Sequence, residues 1–352
     1  MKIEDLVRKN ILALKPYTCA RDIYSDGILL DANENSLGST AEGFDSLQLN
    51  RYPDPHQVDL KQAVGKYLSV DAKNLFFGVG SDEIIDLLIR IFCNPAKDAI
   101  MILDPTYGMY KVAADVNDVE SISVNLDENF QIDFQAVQNS YKDNVKIIFT
   151  CSPNNPTGNL IRKQDLLKLC NDYNSIVVVD EAYVDFSGDN SLIGEVNNYP
   201  NLVILRTFSK AWGLAGVRLG FTIANESIIS FLFKIKAPYN VNSLTRSAVL
   251  NAIANFEQKK SFVEQLVLER ERIISELKKV PGVEKVYRSD ANYLLFKCKR
   301  ASEVQKNMAE SGIVIRDRSS YDMLDNCLRV SVGTVDENNK FLDLLKKELC
   351  TK

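Results

Sequence analysis

From about residue 75 to residue 205, short apolar segments alternate with amphipathic ones. The segment at 81–92 carries apolar residues at 84, 85, 88, 91 and 92, the spacing of one helix face. Segment 162–173 has a similar pattern. The apolar segments are short enough for buried strands and are LFFGVG (75–80), AIMILD (99–104), VESISVNL (119–126), VKIIFTC (145–151), SIVVVD (175–180) and LVILRTF (202–208). This alternation predicts an α/β fold with a mostly parallel sheet flanked by helices.

The C-terminal third has a different order of elements. Residues 226–280 have a strongly helical pattern, and the segment 262–280 is long enough to bridge two lobes. From 283 to 349 strands and helices alternate again, as in a smaller C-terminal α/β domain. The predicted division is an N-terminal arm or small-domain segment at 1–30, a large domain at 31–255 and a small domain at 256–352. A helix crosses the boundary near 255.

The composition of the chain disfavours several classes of partner and of active site. The chain has 352 residues, 45% hydrophobic and 25% charged, with a net charge of −5, which disfavours nucleic acid and anionic membranes as partners. No apolar run approaches the roughly 20 residues of a membrane span, and the charged N-terminus lacks a signal core. Seven cysteines without a CxxC pair favour reduced thiols and a cytoplasmic location. The one histidine, His56, rules out a multi-histidine metal site and makes a Ser-His-Asp triad improbable.

Three successive predicted strands end in polar or reactive groups. The first continues into SPNNPTG (152–158), the second ends on Asp180 with Tyr183 three residues later, and the third leads to Ser209 and Lys210. Right-handed crossovers bring the carboxyl ends of such strands to one edge of the sheet, where ligands bind. We therefore expect a carboxylate, an amide, a phenol and an amine to face one cavity.

The segment GVGSDEIIDLL (78–88) predicts an anion site. It passes from strand to helix through glycines and leaves Gly80, Ser81 and Asp82 at a helix N-terminus, where free N–H groups and the helix dipole attract phosphate. The alternative is a capping box formed by Ser81 or Asp82 with a nearby acid. A GxGxxG dinucleotide motif would need glycine at position 83, which is Glu83, so a nicotinamide dehydrogenase is disfavoured.

Pyridoxal phosphate would use all these groups together. Lys210 can form a Schiff base with its aldehyde, and Asp180 can keep its ring nitrogen protonated so that the ring withdraws electrons. The other expected contacts are Ser81, Asp82, Thr207, Ser209 and Arg218 to the phosphate, Tyr183 and Asn155 to the phenolic oxygen, and Tyr107 against the ring face. The presence of all these residues together, rather than any one of them, indicates pyridoxal phosphate.

The motifs SPNNPTG, VVVDEAY and TFSKAWGLAGVRLG resemble those of fold-type I pyridoxal-phosphate aminotransferases, the aspartate aminotransferase superfamily. More narrowly, LDANEN, RYPDP, DPTYGMY, GIVIRDRS and CLRVSVGT are similar to the histidinol-phosphate aminotransferase subfamily. These blocks extend from about residue 15 to residue 335. The chain departs from the usual pattern at Ser36, where proline is common, and at Trp212, where phenylalanine is common.

The resemblance implies roles for individual residues. Lys210, Asp180 and Tyr183 would be catalytic, and Tyr52 would reach the cofactor phosphate of a neighbouring subunit, which implies a homodimer with shared sites. The substrate contacts would be Tyr17, Asn33, Arg316 and Arg329. Arg329 would bind the anion common to both substrates and Arg316 would aid the phosphate, since guanidinium groups suit carboxylate and phosphate alike. We expect Arg318 to be a surface residue that balances Asp317 or Asp322.

By the same resemblance, glutamate would aminate imidazole-acetol phosphate, giving histidinol phosphate and 2-oxoglutarate for histidine biosynthesis. Two alternatives share the fold: an aromatic amino-acid aminotransferase and a threonine-phosphate decarboxylase. The aminotransferase-like sensor half of certain transcription regulators is a third, although motifs beginning near residue 15 leave no room for a preceding DNA-binding domain. The sequence permits a cis bond at Asn155–Pro156 without requiring one.

Overall fold

A computed structural model describes residues 2–16 and 32–350 of the chain, with the side chain of residue 45 excepted. Its helices are α1 Lys9–Ala13, α2 Val58–Leu68, α3 Gly80–Phe92, α4 Met109–Val116, α5 Phe134–Ser140, α6 Lys163–Asp172, α7 Glu226–Ile235, α8 Ser243–Ala254, α9 Phe256–Leu277, α10 Ala301–Glu310 and α11 Val335–Cys350. Its strands are β1 Leu75–Gly78, β2 Ala99–Asp104, β3 Glu120–Asn125, β4 Val145–Cys151, β5 Ile176–Asp180, β6 Leu202–Thr207, β7 Gly220–Ala224, β8 Val283–Val286, β9 Tyr293–Cys298, β10 Arg316–Asp317 and β11 Cys327–Ser331.

The first seven strands form one sheet in the order β1-β7-β6-β5-β4-β2-β3. All neighbours pair in parallel except β7, which runs antiparallel to both β1 and β6. The predicted α/β fold with a mostly parallel sheet is confirmed, and the predicted bounds of the second and fourth apolar segments match β2 and β4. The prediction omitted β7, a buried strand of five residues that directly follows a glycine-rich turn.

Alternate residues of the central strands enter two different cores. On β5, Val177 and Val179 belong to the core on one face, whereas Ile176 and Val178 belong to the core on the other. Every residue of β5 is buried. Strands covered on both faces read as continuous apolar runs rather than as alternating ones, which explains the sequence pattern.

The last four strands form an antiparallel sheet in the order β10-β11-β9-β8. One face packs against α10, α11 and the end of α9, burying Leu294, Phe296 and Leu328 in a separate core. Residues of the opposite face, including Leu295 and Cys327, join the core of the large sheet. This sheet therefore has one face directed at the larger unit.

Two segments bear on the predicted domain boundaries. Helix α9 begins beside the large sheet and ends in the core of the small one, where Ile273 and Leu277 are buried. Ile3, Leu6 and Ile11 pack against the large unit, in the core that contains α3 and α7. The boundaries at residues 30 and 255 stay predictions, but the expectation that one helix crosses residue 255 is wrong, because α8 ends and α9 begins on either side of Asn255. Within the described ranges, no helix is long and apolar enough to cross a membrane.

A buried ion network fastens α9 to the large sheet. Arg206 of β6 is 7% exposed, and its guanidinium lies 3.0 Å from Glu181 and 3.4 Å from Asp185. Lys259 of α9 lies 2.7 Å from the same Asp185. Glu181 also accepts hydrogen bonds from Ser191 and from the Leu192 N–H. Glu181 directly follows Asp180 in the chain, and Arg206 lies on β6, the strand whose end leads to Lys210.

Replacing the buried cation should destabilise the protein. Arg206→Met leaves the Glu181 carboxylate buried without its partner, and we expect the free energy of unfolding to fall by about 3–5 kcal/mol. The matched control is Lys111→Met, which breaks the exposed pair with Asp115 and should cost less than about 1 kcal/mol. Chemical denaturation at one protein concentration measures both. Equal losses in the two variants would contradict a structural role for the network.

Candidate active site

The carboxyl ends of β4, β5 and β6 meet at one cavity. The strands are adjacent and in register, with Cys151 opposite Asp180 and Asp180 opposite Leu205. The cavity is lined by Gly80, Ser81, Asp82, Tyr107, Cys151, Asn155, Asp180, Ala182, Tyr183, Thr207, Ser209, Lys210, Ala215 and Arg218. The structure thus brings the large-domain residues that were predicted to bind the cofactor into one place, with the exception of Tyr52.

Asp180 is a carboxylate that is buried at the end of β5. It is 3% exposed, accepts hydrogen bonds from the Tyr110 hydroxyl at 2.9 Å and the Ala182 N–H at 3.0 Å, and forms no ion pair within the described part of the chain. Burial raises the pKa of Asp180 to about 6, although these two donors act in the opposite direction. Such a carboxylate fits a protonated ring nitrogen, which would supply the missing positive charge.

Lys210 presents its amine to the same cavity. Its Nζ lies 5.4 Å from the centre of the Tyr183 ring, and no hydrogen bond or ion pair holds it among the residues the structure describes. Although Lys210 as a whole residue is exposed, desolvation of its amine by the cavity wall lowers the pKa of Lys210, an effect that the charge of Asp180 opposes and the positive charge of Arg329 reinforces. A larger neutral fraction makes the amine a better nucleophile toward an aldehyde.

The N-terminus of α3 forms the floor of the anion site. The Glu83 carboxylate accepts the Val79 N–H at 2.5 Å, so Glu83 caps this helix rather than Ser81 or Asp82. The N–H groups of Ser81 and Asp82 precede the first intrahelical hydrogen bonds and point out of the helix end. No side chain among residues 2–16 and 32–350 accepts these two N–H groups, so they are available to an anion, and the phosphate site stays a prediction.

Two glycines allow the close approach that builds this site. Gly80 has φ +75°, and a β-carbon there would lie 2.7 Å from the Arg218 guanidinium. A β-carbon at Gly220 would lie 2.4 Å from the Ser81 nitrogen. Arg218, itself at φ 54°, accepts the Gly80 N–H through its carbonyl and lies 3.6 Å from Asp82. The helix start and the arginine are therefore held together by backbone contacts.

Thr207 and Ser209 shape the turn that presents Lys210. The Thr207 hydroxyl accepts the Ser209 N–H at 3.0 Å and contacts the Leu219 carbonyl at 3.5 Å. This bond bends the chain immediately after β6. Lys210 consequently leaves the strand end pointing along the cavity instead of continuing the sheet.

An aromatic pair connects the cavity wall to Asp180. The Tyr107 hydroxyl donates to Asp82 at 3.2 Å, and its ring meets Tyr110 edge to face at 5.5 Å. Tyr110 is fully buried, stacks on Phe149 and donates to Asp180. Sequence reasoning identified Tyr107 and missed Tyr110. The signal that could have identified Tyr110 was its position three residues after Tyr107 in DPTYGMY, just inside a helix that begins at Met109.

Asn155 links the cavity to the small domain. It is 7% exposed, its bond to Pro156 is cis, and its side-chain oxygen accepts a hydrogen bond from Arg329 of β11. The Arg329 guanidinium lies 5.2 Å from the Tyr293 ring, which in turn packs edge to face on Tyr183 at 5.0 Å. Tyr293 was not predicted, because it lies in a strand that carries no reactive motif.

The remaining predicted substrate residues are less enclosed. Arg316 is exposed and directly opposite Arg329 in the β10–β11 register. Asn33 is exposed with φ 55°, and Tyr17 lies outside the described residues. Tyr52 is 49% exposed and stacks on Tyr239 at 4.5 Å, away from the residues that line the cavity of its own chain.

The prediction that Arg318 is a surface residue is wrong in that part of its side chain is enclosed by the protein. The residue is only partly exposed, and its Nε is buried without a hydrogen-bond partner. Its neighbour Asp317 accepts hydrogen bonds from Ser302 and Ser319 instead of pairing with an arginine.

Comparisons with known proteins identify the family of this chain. The sequence model of the aminotransferase class I and II family matches residues 25–345. The chain is 46% identical over 346 residues to a histidinol-phosphate aminotransferase of Cytophaga hutchinsonii, covering 98% of each chain. The solved histidinol-phosphate aminotransferase of Clostridium acetobutylicum is 28% identical, with a TM-score of 0.79 over 86% of this chain and 91% of that one.

A second solved structure bears on the cofactor. The histidinol-phosphate aminotransferase of Sinorhizobium meliloti, in complex with pyridoxal-5'-phosphate, has a TM-score of 0.76 and 23% identity, over 90% of this chain and 88% of that one. At this identity the likeness shows the fold alone. The donor set described above, with its buried carboxylate, unbonded amine and helix N-terminus, fits the same cofactor.

The burial of Asp180 predicts a pH dependence of stability in the cofactor-free protein. An unfolded aspartate has a pKa of about 3.9, so the folded protein binds this proton more tightly than the unfolded chain. Rising pH between about 4 and 6 should therefore lower the stability of the wild type relative to Asp180→Asn, by about 3 kcal/mol in total. Denaturant unfolding at several pH values measures it. Asp143→Asn, at an exposed position, is the control, and parallel pH curves for wild type and Asp180→Asn would contradict this account.

Proposed function

This chain belongs to the aminotransferase class I and II family, and we propose that it transfers an amino group from glutamate to imidazole-acetol phosphate, giving histidinol phosphate and 2-oxoglutarate. The observation that carries this proposal is the similarity to a histidinol-phosphate aminotransferase, which covers both domains and 98% of the chain. The reaction is a step of histidine biosynthesis. It requires one site that accepts both a carboxylate and a phosphate.

The cofactor is pyridoxal phosphate. Lys210 would hold its aldehyde, Asp180 its ring nitrogen, and Tyr107 one ring face. The phosphate would be bound by the N–H groups of Ser81 and Asp82 together with Arg218, Thr207 and Ser209. When bound, the cofactor supplies an electron-withdrawing ring that stabilises negative charge on the substrate carbon.

A residue of the chain would transfer the proton on the amine-bearing carbon of the substrate. The free Lys210 amine would remove the proton from the amine-bearing carbon of the substrate and hold it at Nζ. The lowered pKa of Lys210 suits this task, because a neutral amine is needed as the base. Tyr183, whose ring lies 5.4 Å from the amine, and Asn155, which lines the same cavity, would donate to the phenolic oxygen of the cofactor.

Substrate anions bind at the small-domain side of the cavity. Arg329 holds the anion common to both substrates, because its guanidinium already reaches Asn155 at the cavity wall. Arg316, opposite it in the adjacent strand, assists with the phosphate. Asn33 and Tyr17 complete the substrate contacts.

The active unit is a homodimer in the cytoplasm. Tyr52 is exposed and lies outside the cavity of its own chain, as expected for a side chain that reaches the cofactor phosphate of the second subunit. Its backbone N–H donates to Glu34 at 2.6 Å, and its ring stacks on Tyr239, so the residue is held in place at the surface. Each site is then complete only when two chains associate.

Half-reactions test the proposed substrate directly. Mixing the purified holoenzyme with histidinol phosphate should bleach the visible absorbance of the cofactor and release imidazole-acetol phosphate. Lys210→Ala should slow this conversion by at least about 100-fold, since it lacks the proton-transferring amine, whereas the exposed Lys279→Ala should match wild type. Stopped-flow absorbance and product chromatography provide the readouts.

Two results would contradict the substrate assignment. Bleaching by phenylalanine with none by histidinol phosphate would indicate an aromatic amino-acid aminotransferase. Release of carbon dioxide from threonine phosphate would indicate a decarboxylase of the same fold.

Mixed dimers test the shared site. If Tyr52 acts in trans, a dimer of one Lys210→Ala chain and one Tyr52→Ala chain contains one intact site, and random mixing should restore about a quarter of the wild-type sites. If it acts in cis, no intact site forms. Activity at limiting cofactor, before and after subunit exchange, distinguishes the two. The absence of any recovery in proven mixed dimers would refute the shared arrangement.

A further inference from the structure

Three arginines share one face of the small sheet. Arg316 of β10 pairs directly with Arg329 of β11, and the Arg318 N–H donates to the Cys327 carbonyl as the pairing continues. Side chains two residues apart on a strand point to the same side, and paired residues share a face. Arg316, Arg318 and Arg329 therefore project together.

This face is directed at the cofactor cavity. Arg329 reaches Asn155 and lies over Tyr293, and Cys327 from the same face packs into the core of the large sheet. The Arg318 guanidinium lies 5.5 Å from the ring of Tyr321. The Tyr321 hydroxyl would lie 3.4 Å from a β-carbon at Gly108, so this turn contacts the loop that carries Tyr107.

The arginine cluster has no compensating carboxylate in the part of the chain that the structure describes. Asp317 points to the opposite face, where Ser302 of α10 donates to it at 2.5 Å. The Nε of Arg318 is buried with no hydrogen-bond partner. Burial lowers the pKa of Arg318, and the nearby positive charge of Arg329 lowers it further. Close guanidinium groups that repel one another are stabilised when an anion lies between them.

We propose that Arg318 is a specificity-determining residue, which with Arg316 and Arg329 forms a three-guanidinium site that selects the phosphate-bearing substrate over carboxylate substrates. This inference rests on the proposed function. A phosphate monoester carries a charge of about −1.5 to −2 at pH 7 and has three acceptor oxygens. A carboxylate carries one negative charge and has two acceptor oxygens. Each of the two carboxylates of glutamate is matched by one guanidinium fork, whereas a phosphate dianion can accept from several guanidinium groups at once.

The test compares two half-reactions of each holoenzyme. The measured quantity is the ratio of the second-order rate constants for histidinol phosphate and for glutamate. A hydrogen bond to a charged group contributes about 1.5–3 kcal/mol, so Arg318→Gln should lower this ratio by about 10- to 100-fold. Arg318→Lys keeps the charge without the guanidinium fork and should lower it less. Arg288→Gln removes an 84% exposed arginine of the same domain and should leave the ratio unchanged.

A second readout depends on phosphate ionisation. Because the second pKa of a phosphate monoester is about 6, the wild-type ratio should fall between pH 7 and pH 5, and the fall should be smaller in Arg318→Gln. A ratio equal to wild type in Arg318→Gln, or equal losses in both half-reactions, would overturn the proposal. If Arg318→Gln does not fold, an unchanged ratio in Arg318→Lys has the same consequence. A wild-type enzyme that does not react with histidinol phosphate would instead refute the proposed function.

Discussion

The site depends on a carboxylate, Asp180, that the fold buries and that no cation of the described residues pairs with. Asp180 ends the central strand β5, and Tyr110 and the Ala182 N–H hold it in one orientation. Burying a charge in this way is costly unless a partner neutralises it. A positively charged ring nitrogen beside Asp180 would offset this cost. Lys210, at the end of the adjacent strand β6, faces the same cavity. Under the proposed function, one bound cofactor would interact with both groups at once.

The same edge of the sheet also fixes the small domain. Arg206 and Glu181, which flank the reactive strand ends, form a buried network with Asp185 and Lys259 of α9. On the other side of the cavity, Arg329 of β11 contacts Asn155. The residues that line the cavity therefore belong to the large sheet and its loops, whereas Arg329, to which we assign the substrate anion under the proposed function, belongs to the small sheet.

Local patterns in the sequence predicted most of the fold and much of the site. Strands such as β4 are continuous apolar runs, and the strand-end motifs carry Asp180 and Lys210 in order. The buried strand β7 was missed because five residues after a glycine-rich turn give little periodicity. Tyr110 and Tyr293 were missed because their contacts arise only from tertiary packing. Arg318 was assigned to the surface beside Asp317, although strand alternation turns these neighbours to opposite faces.

A crystal structure of the holoenzyme is the most direct test of the account. It should show a covalent bond from Lys210 Nζ to the cofactor and a carboxylate oxygen of Asp180 about 2.7–2.9 Å from the ring nitrogen, the distance of a charge-assisted hydrogen bond. A cofactor attached to another lysine, or a ring nitrogen that faces solvent or a neutral group instead of Asp180, would contradict the central claim.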